Sequence, residues 1–239
     1  MAEGEFSFGV YIPSYKRAMR GVVTGKLFEH PSYVVRKSQQ KMYEDAGFPN
    51  VIGVDDTEID SYEHTFNWIV DNATEDVIAI VDDDVKSFMY RLDYNYVIED
   101  VETCQAEFER LAQLIHDLDI GLAFGSATAV PYDYTSEFGW LGIPGAFKIV
   151  NRKMIKARMA SMPRNVDIDY VLQELLKNRI CLNAKYLVDV PYKDKNTNNS
   201  GSNYDAAAIE SSVQIMKTKW GKYFSYNFKK NVPHVNVQR

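Results

Sequence analysis

The sequence has few of the residues that would tie it to an oxidising or a membrane environment. Only two of its 239 residues are cysteines, Cys104 and Cys181, and both lie inside apolar patterns, which favours reduced core residues. No apolar run approaches the roughly 20 residues needed to span a bilayer. The N-terminus also lacks the basic-then-apolar layout of a signal peptide. We therefore expect a soluble protein that stays in the cytoplasm.

Acidic residues are absent from two stretches, although the net charge is −6. Residues 151–165 hold five arginines and lysines and no acid, and no acid follows Glu210. The C-terminal stretch instead alternates basic and aromatic residues: Lys217, Lys219, Trp220, Lys222, Tyr223, Phe224, Tyr226, Phe228, Lys229, Lys230 and Arg239. Such interleaving is what a nucleic-acid or phosphate-rich surface needs. A solvated helix face with core aromatics is the competing interpretation.

The apolar pattern predicts an α/β fold with a mostly parallel sheet, in one domain that spans residues 1–239. The composition, 46% hydrophobic and 25% charged, leaves ample material for a core. Short β-rich runs recur and alternate with helical patterns. The predicted strands are Phe6–Ile12, Tyr33–Arg36, Val51–Val54, Val77–Val81, Ile120–Phe124, Ala146–Val150 and Ala184–Val190. The predicted helices are Ser61–Ala73, Asp100–Leu118, the segment around Ile168–Leu176, and Tyr204–Lys219.

The most informative motif is VIAIVDDD, in which a buried strand ends in three consecutive aspartates. Like charges at this spacing repel one another, so either they are solvated or a cation binds there. In open α/β sheets, ligands collect beyond the carboxyl ends of the strands. In an extended segment Asp82 and Asp84 point the same way and Asp83 points elsewhere. Two carboxylates together with phosphate oxygens suit Mg²⁺ or Mn²⁺.

At these residues the chain resembles the glycosyltransferase A fold family. An early strand that ends in IPSYKRA, residues 12–18, precedes an apolar strand that ends in an Asp-x-Asp motif. The resemblance implies that Asp84 binds the metal directly and that Asp82 contacts the ribose or a metal-bound water. It also implies a nucleoside diphosphate sugar donor, with UDP-sugar favoured, and a donor-binding part at about residues 6–90. The implied donor-site residues are Pro13, Ser14, Tyr15, Arg17, Asp82 and Asp83.

The same resemblance assigns the acceptor side to about residues 120–239. An acidic pair often opens a helix there, and one carboxylate deprotonates the acceptor hydroxyl. Asp167 and Asp169 occupy those positions, with an isoleucine between them, and the choice between them stays open. Acids in the first turn of a helix also favourably meet its positive end, which is the structural alternative.

Two further assignments follow from the resemblance. A histidine near the C-terminus often completes the metal site of this fold, and His234 is the candidate; a packed or exposed strand histidine is the alternative. The polar segment Lys193–Asn203 is predicted to form a loop that could close over the diphosphate. Its candidate donor-binding residues are Lys195, Asn199, Ser200 and Gly201, and a plain surface loop is equally consistent with the pattern.

Within the fold, the compact size and the block order are most similar to the TET-associated glycosyltransferases of bacteriophages. That family is thought to glycosylate hydroxymethylated pyrimidines in DNA, which implies a DNA acceptor and a phage-infected bacterium as the setting. The same strand-then-aspartate block also occurs in haloacid-dehalogenase-like phosphatases. A nucleotidyltransferase, a glycosyltransferase that acts on a glycan, lipid or protein, and a non-catalytic nucleic-acid binder stay open as alternatives. So does the choice between inversion and retention at the anomeric carbon.

Overall fold

A single ten-stranded sheet organises the part of the chain that the structure, a computed structural model, describes: residues 6–91, 94–126, 136–192 and 206–237. The strand order is β3-β2-β1-β4-β9-β7-β10-β5-β6, and β8 pairs with β10. The strands are β1 Phe8–Pro13, β2 Ser32–Arg36, β3 Val51–Val54, β4 Val77–Val81, β5 Val85–Arg91, β6 Asn95–Ile98, β7 Leu122–Ser126, β8 Phe138–Gly139, β9 Pro144–Asn151 and β10 Leu182–Pro191. The helices are α1 Lys37–Asp45, α2 Tyr62–Asn72, α3 Val101–Asp117, α4 Val166–Asn178 and α5 Ala206–Trp220.

The direction of the strands brings the ends of β1, β2 and β4 to one edge of the sheet. These three strands and β3 are parallel to one another. Strand β9 then lies antiparallel between β4 and β7, and β7 is parallel to β10. The result is a mostly parallel α/β sheet, as the sequence predicts.

Strand β4 is buried on both faces, and this explains its unbroken apolar sequence. Its five residues are 0–1% exposed. Val77, Ala79 and Val81 face the core that α3 covers. Ile78 and Ile80 face the opposite core, which α2 and α4 cover. A strand covered by helices on both sides has no polar face, so the charge in this part of the chain is confined to the strand's end.

The seven predicted strands and the four predicted helices are present, with ends shifted by a few residues. Helix α1 was not predicted, because it buries only Gln39 and Tyr43 and so shows little apolar periodicity. Strands β5 and β6 were also missed. β6 lies at an edge of the sheet, and only its Ile98 is buried.

The C-terminal residues form a separate layer that packs on α4. We call α5 together with the antiparallel pair β11 (Phe224–Asn227) and β12 (Val232–Val235) the C-terminal layer. Its small core joins Ile168 and Leu172 of α4 to Val213, Met216 and Phe224. None of the described helices is long and apolar enough to cross a membrane.

Candidate functional site

A cleft of about 770 Å³ opens where β1, β2 and β4 end. The loop after β1, the aspartates after β4 and the first residues of α2 form one side of it. Residues of β9 and the start of α4 form the opposite side. After the roles that the resemblance implies for these segments, we call Ser14, Arg17, Asp82, Asp83 and Asp84 the donor wall, and Lys148, Arg164, Asn165 and Asp167 the acceptor wall. The cleft lies at the edge of the sheet where α/β folds bind ligands.

The three aspartates all line the cleft, which corrects the expectation that Asp83 points away. The chain does not stay extended after Val81 but turns into β5 at Val85, so the alternation expected of a strand does not apply. Asp83 accepts hydrogen bonds from Ser14 Oγ at 2.5 Å and from Arg17 Nη1 at 2.6 Å. The same guanidinium nitrogen lies 3.3 Å from Asp84 Oδ2. One arginine therefore offsets the charge of two neighbouring carboxylates.

Asp82 has a different set of partners. Its Oδ1 accepts a hydrogen bond from the Tyr62 hydroxyl at 3.2 Å. Burial raises the pKa of Asp82 to about 7; the nearby Lys148 ammonium opposes this shift, and the carboxylate of Asp167 adds to it. Burial also raises the pKa of Asp83 to about 6, against the hydrogen bond from Ser14 and the charge of Arg17. Carboxylates that are costly to ionise are the groups that a bound divalent cation would stabilise.

A buried threonine fixes the turn that carries the aspartates. Thr24 is fully buried; its hydroxyl donates to the carbonyl of Asp82 at 2.6 Å and accepts from the amide of Val85 at 2.8 Å. The amide of Val23 donates to the carbonyl of Asp83 at 3.0 Å. Nothing in the sequence around Thr24 indicated this role, because the contact joins segments about 60 residues apart.

The structure separates the two candidate bases at the start of α4. Asp167 lines the cleft, and its side chain is 38% exposed. Asp169 is fully buried on the other side of the helix, which corrects its candidacy as a base. Its carboxylate accepts from Lys219 Nζ at 2.7 Å and from Trp220 Nε1 at 2.7 Å, so it ties α4 to the C-terminal layer.

The outer end of the cleft carries an aromatic ring and a guanidinium group. Tyr15 is 40% exposed, and the Arg36 guanidinium lies 4.4 Å from its ring centroid. Arg36 is held by the carbonyls of Ile59 and Asp60. Pro13, the last residue of β1, also lines this part of the cleft. Aromatic rings and guanidinium planes are the surfaces on which nucleobases stack.

The remaining predicted site residues lie elsewhere or outside the described residues. His234 is exposed on β12, where it pairs with Ser225, and it is not among the residues that line the cleft. The structure therefore does not bring it to the aspartates, because the C-terminal layer packs on α4 rather than on β4. The predicted loop residues Lys195, Asn199, Ser200 and Gly201 lie outside the described residues.

The basic segment 151–165 has mainly structural contacts, which weakens its assignment to an acceptor surface. Arg152 donates to the carbonyls of Val70, Asp71 and Glu75, and thereby binds the C-terminal end of α2. Arg158 pairs with the carboxylate of Asp71. In the C-terminal layer, Lys219 is similarly occupied by Asp169, whereas Lys217, Lys222, Lys229 and Lys230 are exposed.

The donor wall fits a divalent cation in the chemistry of its ligands. It offers carboxylate oxygens, which Mg²⁺ and Mn²⁺ prefer. Across the described ranges, however, no three His, Cys, Asp or Glu side chains converge on a common metal position. An ion bound by Asp82 and Asp84 would therefore need further oxygens from water or from a phosphorylated ligand.

Comparison with known proteins identifies the fold. No protein-family model and no curated protein matches the sequence. Among solved structures, the chain is similar to glucosyl-3-phosphoglycerate synthase from Mycobacterium tuberculosis, in a complex with Mn²⁺, uridine-diphosphate-glucose and phosphoglyceric acid. The TM-score is 0.55 at 9% identity, over 98% of this chain and 88% of that one.

A second similar structure is a mannosyltransferase from Pyrobaculum calidifontis in complex with GDP-Man and Mn²⁺. Its TM-score is 0.51 at 14% identity, over 80% of this chain and 58% of that one. At these identities the likeness concerns the backbone. The protein has the glycosyltransferase A fold, with its triplet of aspartates at the end of the fourth strand.

Proposed function

We propose that the protein is a metal-dependent glycosyltransferase that moves a sugar from a nucleoside diphosphate sugar to a hydroxyl group. The observation that carries the proposal is the cleft itself, in which Asp82, Asp83 and Asp84 face Asp167 across the end of a glycosyltransferase A sheet. Similar structures bind nucleotide sugars together with Mn²⁺, which supports the same class of donor here. The haloacid-dehalogenase-like alternative loses its support, because its aspartate block belongs near the N-terminus and not on the fourth strand of this fold.

The donor wall would hold the diphosphate. Asp82 and Asp84 are the residues that would bind Mn²⁺ or Mg²⁺, and the ion would neutralise charge on the leaving diphosphate. Arg17 lies beside them and can donate to a phosphate oxygen as well as to Asp83. Tyr15 and Arg36 at the outer end provide a stacking surface for the base of the nucleotide. Uracil stays the favoured base, with guanine as the alternative.

Asp167 would act as general base on the acceptor hydroxyl. A single displacement at the anomeric carbon requires that the attacking hydroxyl lose its proton, and a carboxylate opposite the donor is suited to accept it. Asp167 is the acidic residue on the acceptor wall. A reaction with retention would not need this step, so the anomeric configuration of the product tests the assignment.

The acceptor that we propose is a hydroxymethylated pyrimidine in bacteriophage DNA. The C-terminal layer supports this choice, because it is attached to the acceptor wall: Ser212 of α5 donates to the carbonyl of Arg164 at 2.5 Å and accepts from Asn165 Nδ2 at 2.9 Å. Its β11–β12 turn exposes Phe228, Lys229 and Lys230. Exposed lysines next to an aromatic ring can contact both phosphates and bases.

Two measurements test this function in sequence. A panel of nucleoside diphosphate sugars is first incubated with the protein and Mn²⁺, and release of free nucleoside diphosphate identifies the donor. Transfer from that donor to hydroxymethylpyrimidine DNA is then compared with transfer to unmodified DNA. Donor hydrolysis without transfer to DNA would support a glycosyltransferase with a glycan, lipid or protein acceptor. No reaction with any donor would refute the proposal.

A further inference from the structure

A lysine of the acceptor wall lies buried in β9, a strand whose other polar side chain is Asn151 at its end. Lys148 belongs to β9, and its side chain is 3% exposed. We propose that Lys148 is a positioning residue for the transfer: it holds the inner carboxylate oxygen of Asp167 so that the outer oxygen faces the acceptor. This inference rests on the proposed function, because it concerns the residue that would serve as base.

The burial of this ammonium group requires compensation. Leaving water costs an unpaired ammonium several kcal/mol, and such groups ordinarily lose their proton. Burial alone would lower the pKa of Lys148, but the carboxylates of Asp167 and Asp82 outweigh burial and raise it. Asp189 on β10 contributes in the same direction. Lys148 is therefore a permanent cation shared by carboxylates on both sides of the cleft.

The contacts of Asp167 show what this cation does. Lys148 Nζ lies 2.8 Å from Oδ1 of Asp167. That oxygen is buried, and apart from this ion pair it has no hydrogen-bond partner in the described part of the chain. The side chain is nevertheless 38% exposed, so its accessible surface lies on the opposite side, which includes Oδ2. A carboxylate held by one oxygen presents the other in a fixed direction.

The position of β9 explains why this lysine lies near carboxylates of both walls. In the antiparallel register Lys148 lies opposite Ile80, two residues before Asp82. Strand β9 also approaches β10 closely at Gly145, where a Cβ atom would lie 1.9 Å from Asp189 Oδ1. The amide of Ala146 donates to that same oxygen at 2.8 Å. Lys148 Nζ is thus held in a narrow space, within 3.4 Å of the carbonyl of Gly145.

A different role would also place a cation here: Lys148 could serve only to offset the negative charge of the aspartates. The two roles are distinguished by replacing the ammonium group with two neutral side chains. Lys148→Gln keeps a hydrogen-bond donor on a side chain that is one bond shorter, and Lys148→Met has the length of glutamine without the donor. If Lys148 positions Asp167, the glutamine variant should keep a higher kcat than the methionine variant. If Lys148 only offsets charge, the two variants should lose kcat equally.

The experiment measures transfer kinetics, donor affinity by calorimetry with Mn²⁺ and the thermal midpoint for these two variants. We measure the wild type and Asp167→Asn in parallel. We also measure the two double variants that combine Asp167→Asn with a Lys148 substitution. Lys153→Met is the matched control, because Lys153 is exposed shortly after β9 and does not line the cleft. We expect kcat of Lys148→Met to fall by about 10- to 100-fold, while donor affinity is not weakened. In the Asp167→Asn background the Lys148 substitutions should have little further effect on kcat, because both residues act through one carboxylate.

Multiplicative losses in the double variants, or equal kcat for the glutamine and methionine variants, would overturn the inference. If Lys148→Met does not fold, kcat of Lys148→Gln with and without Asp167→Asn still shows whether the two residues act together. Failure of the wild type to transfer any sugar would refute the proposed function instead. The two failures are therefore distinguishable.

Discussion

The two walls of the cleft are built in different ways. The donor wall consists of the ends of β1 and β4, which are parallel neighbours in the sheet. Its charged groups follow their strands directly in the sequence. The acceptor wall combines β9, the start of α4 and contacts from the C-terminal layer, which are joined by packing rather than by neighbouring strand ends. Residues of the donor wall could consequently be found by motif, whereas those of the acceptor wall could be chosen only once the packing was known.

The largest expected effect is on the donor wall. Asp84 is a candidate metal ligand, and its side chain is only 25% exposed. Within the described residues its ion pair is with Arg17, and Arg17 keeps Asp83 as a partner when Asp84 is removed. Asp84→Ala should therefore abolish Mn²⁺-dependent binding of nucleoside diphosphate and leave the fold intact. Calorimetry with and without Mn²⁺ measures this, and Asp45→Ala, an exposed aspartate on α1, is the control. Unchanged metal-dependent affinity would remove Asp84 from the site.

The next effect separates the two aspartates of α4. Asp167→Asn should lower transfer by about 10²-fold or more and leave donor binding and stability near wild type. Asp169→Asn should lower the free energy of unfolding by about 2 kcal/mol, because its carboxylate accepts buried hydrogen bonds from charged and neutral donors. Transfer assays and urea denaturation of both variants test this contrast. A stable Asp169→Asn protein without transfer activity would reverse the assignment.

A smaller effect concerns stability as a function of pH in the presence of a chelator. The pKa of Asp82 is about 7 in the folded protein, against an ordinary value of 3.8, so the folded state holds a proton that the unfolded state has lost. Stability should thus decline as the pH rises from about 4 to about 7, and Asp82→Asn should remove that part of the decline. At pH 8 we expect the variant to be more stable than the wild type by about 4 kcal/mol, the free-energy equivalent of a pKa raised from 3.8 to about 7. Denaturation curves at pH 5 and pH 8 measure the difference, and an equal or lower stability at pH 8 would contradict it.

The smallest effect concerns the C-terminal layer. Replacing Lys229 and Lys230 by glutamine should weaken binding to DNA and make the log–log slope of affinity against salt shallower by about 0.9 for each lost phosphate contact. Donor hydrolysis should not change. The control replaces Lys37 and Lys41 on α1, which carry the same charge and do not line the cleft. If both pairs give the same slope, the β11–β12 turn is only a solvated surface.

The sequence by itself determined strand β4 and the place of the three aspartates at its end. An apolar strand that is buried on both faces must appear as a continuous hydrophobic run, so β4 and the aspartates after it were predictable from local order alone. Amphipathic periodicity likewise predicted α2, α3 and α4, since each helix buries one face. A charged residue inside the apolar run of β9 was a visible signal for Lys148, but a local pattern cannot tell which distant group compensates its charge.

Only the tertiary structure decided which acidic residue reaches the cleft. Asp167 and Asp169 are two residues apart on one helix, and both fit a helix start equally well in the sequence. The turn of α4 directs them to different sides, and packing against α5 buries Asp169 with Lys219 and Trp220, some 50 residues further along the chain. The direction of Asp83 and the distance of His234 from the cleft were decided in the same way. Burial and ion pairing depend on what packs against a residue, and packing between distant segments leaves no periodic trace in the sequence.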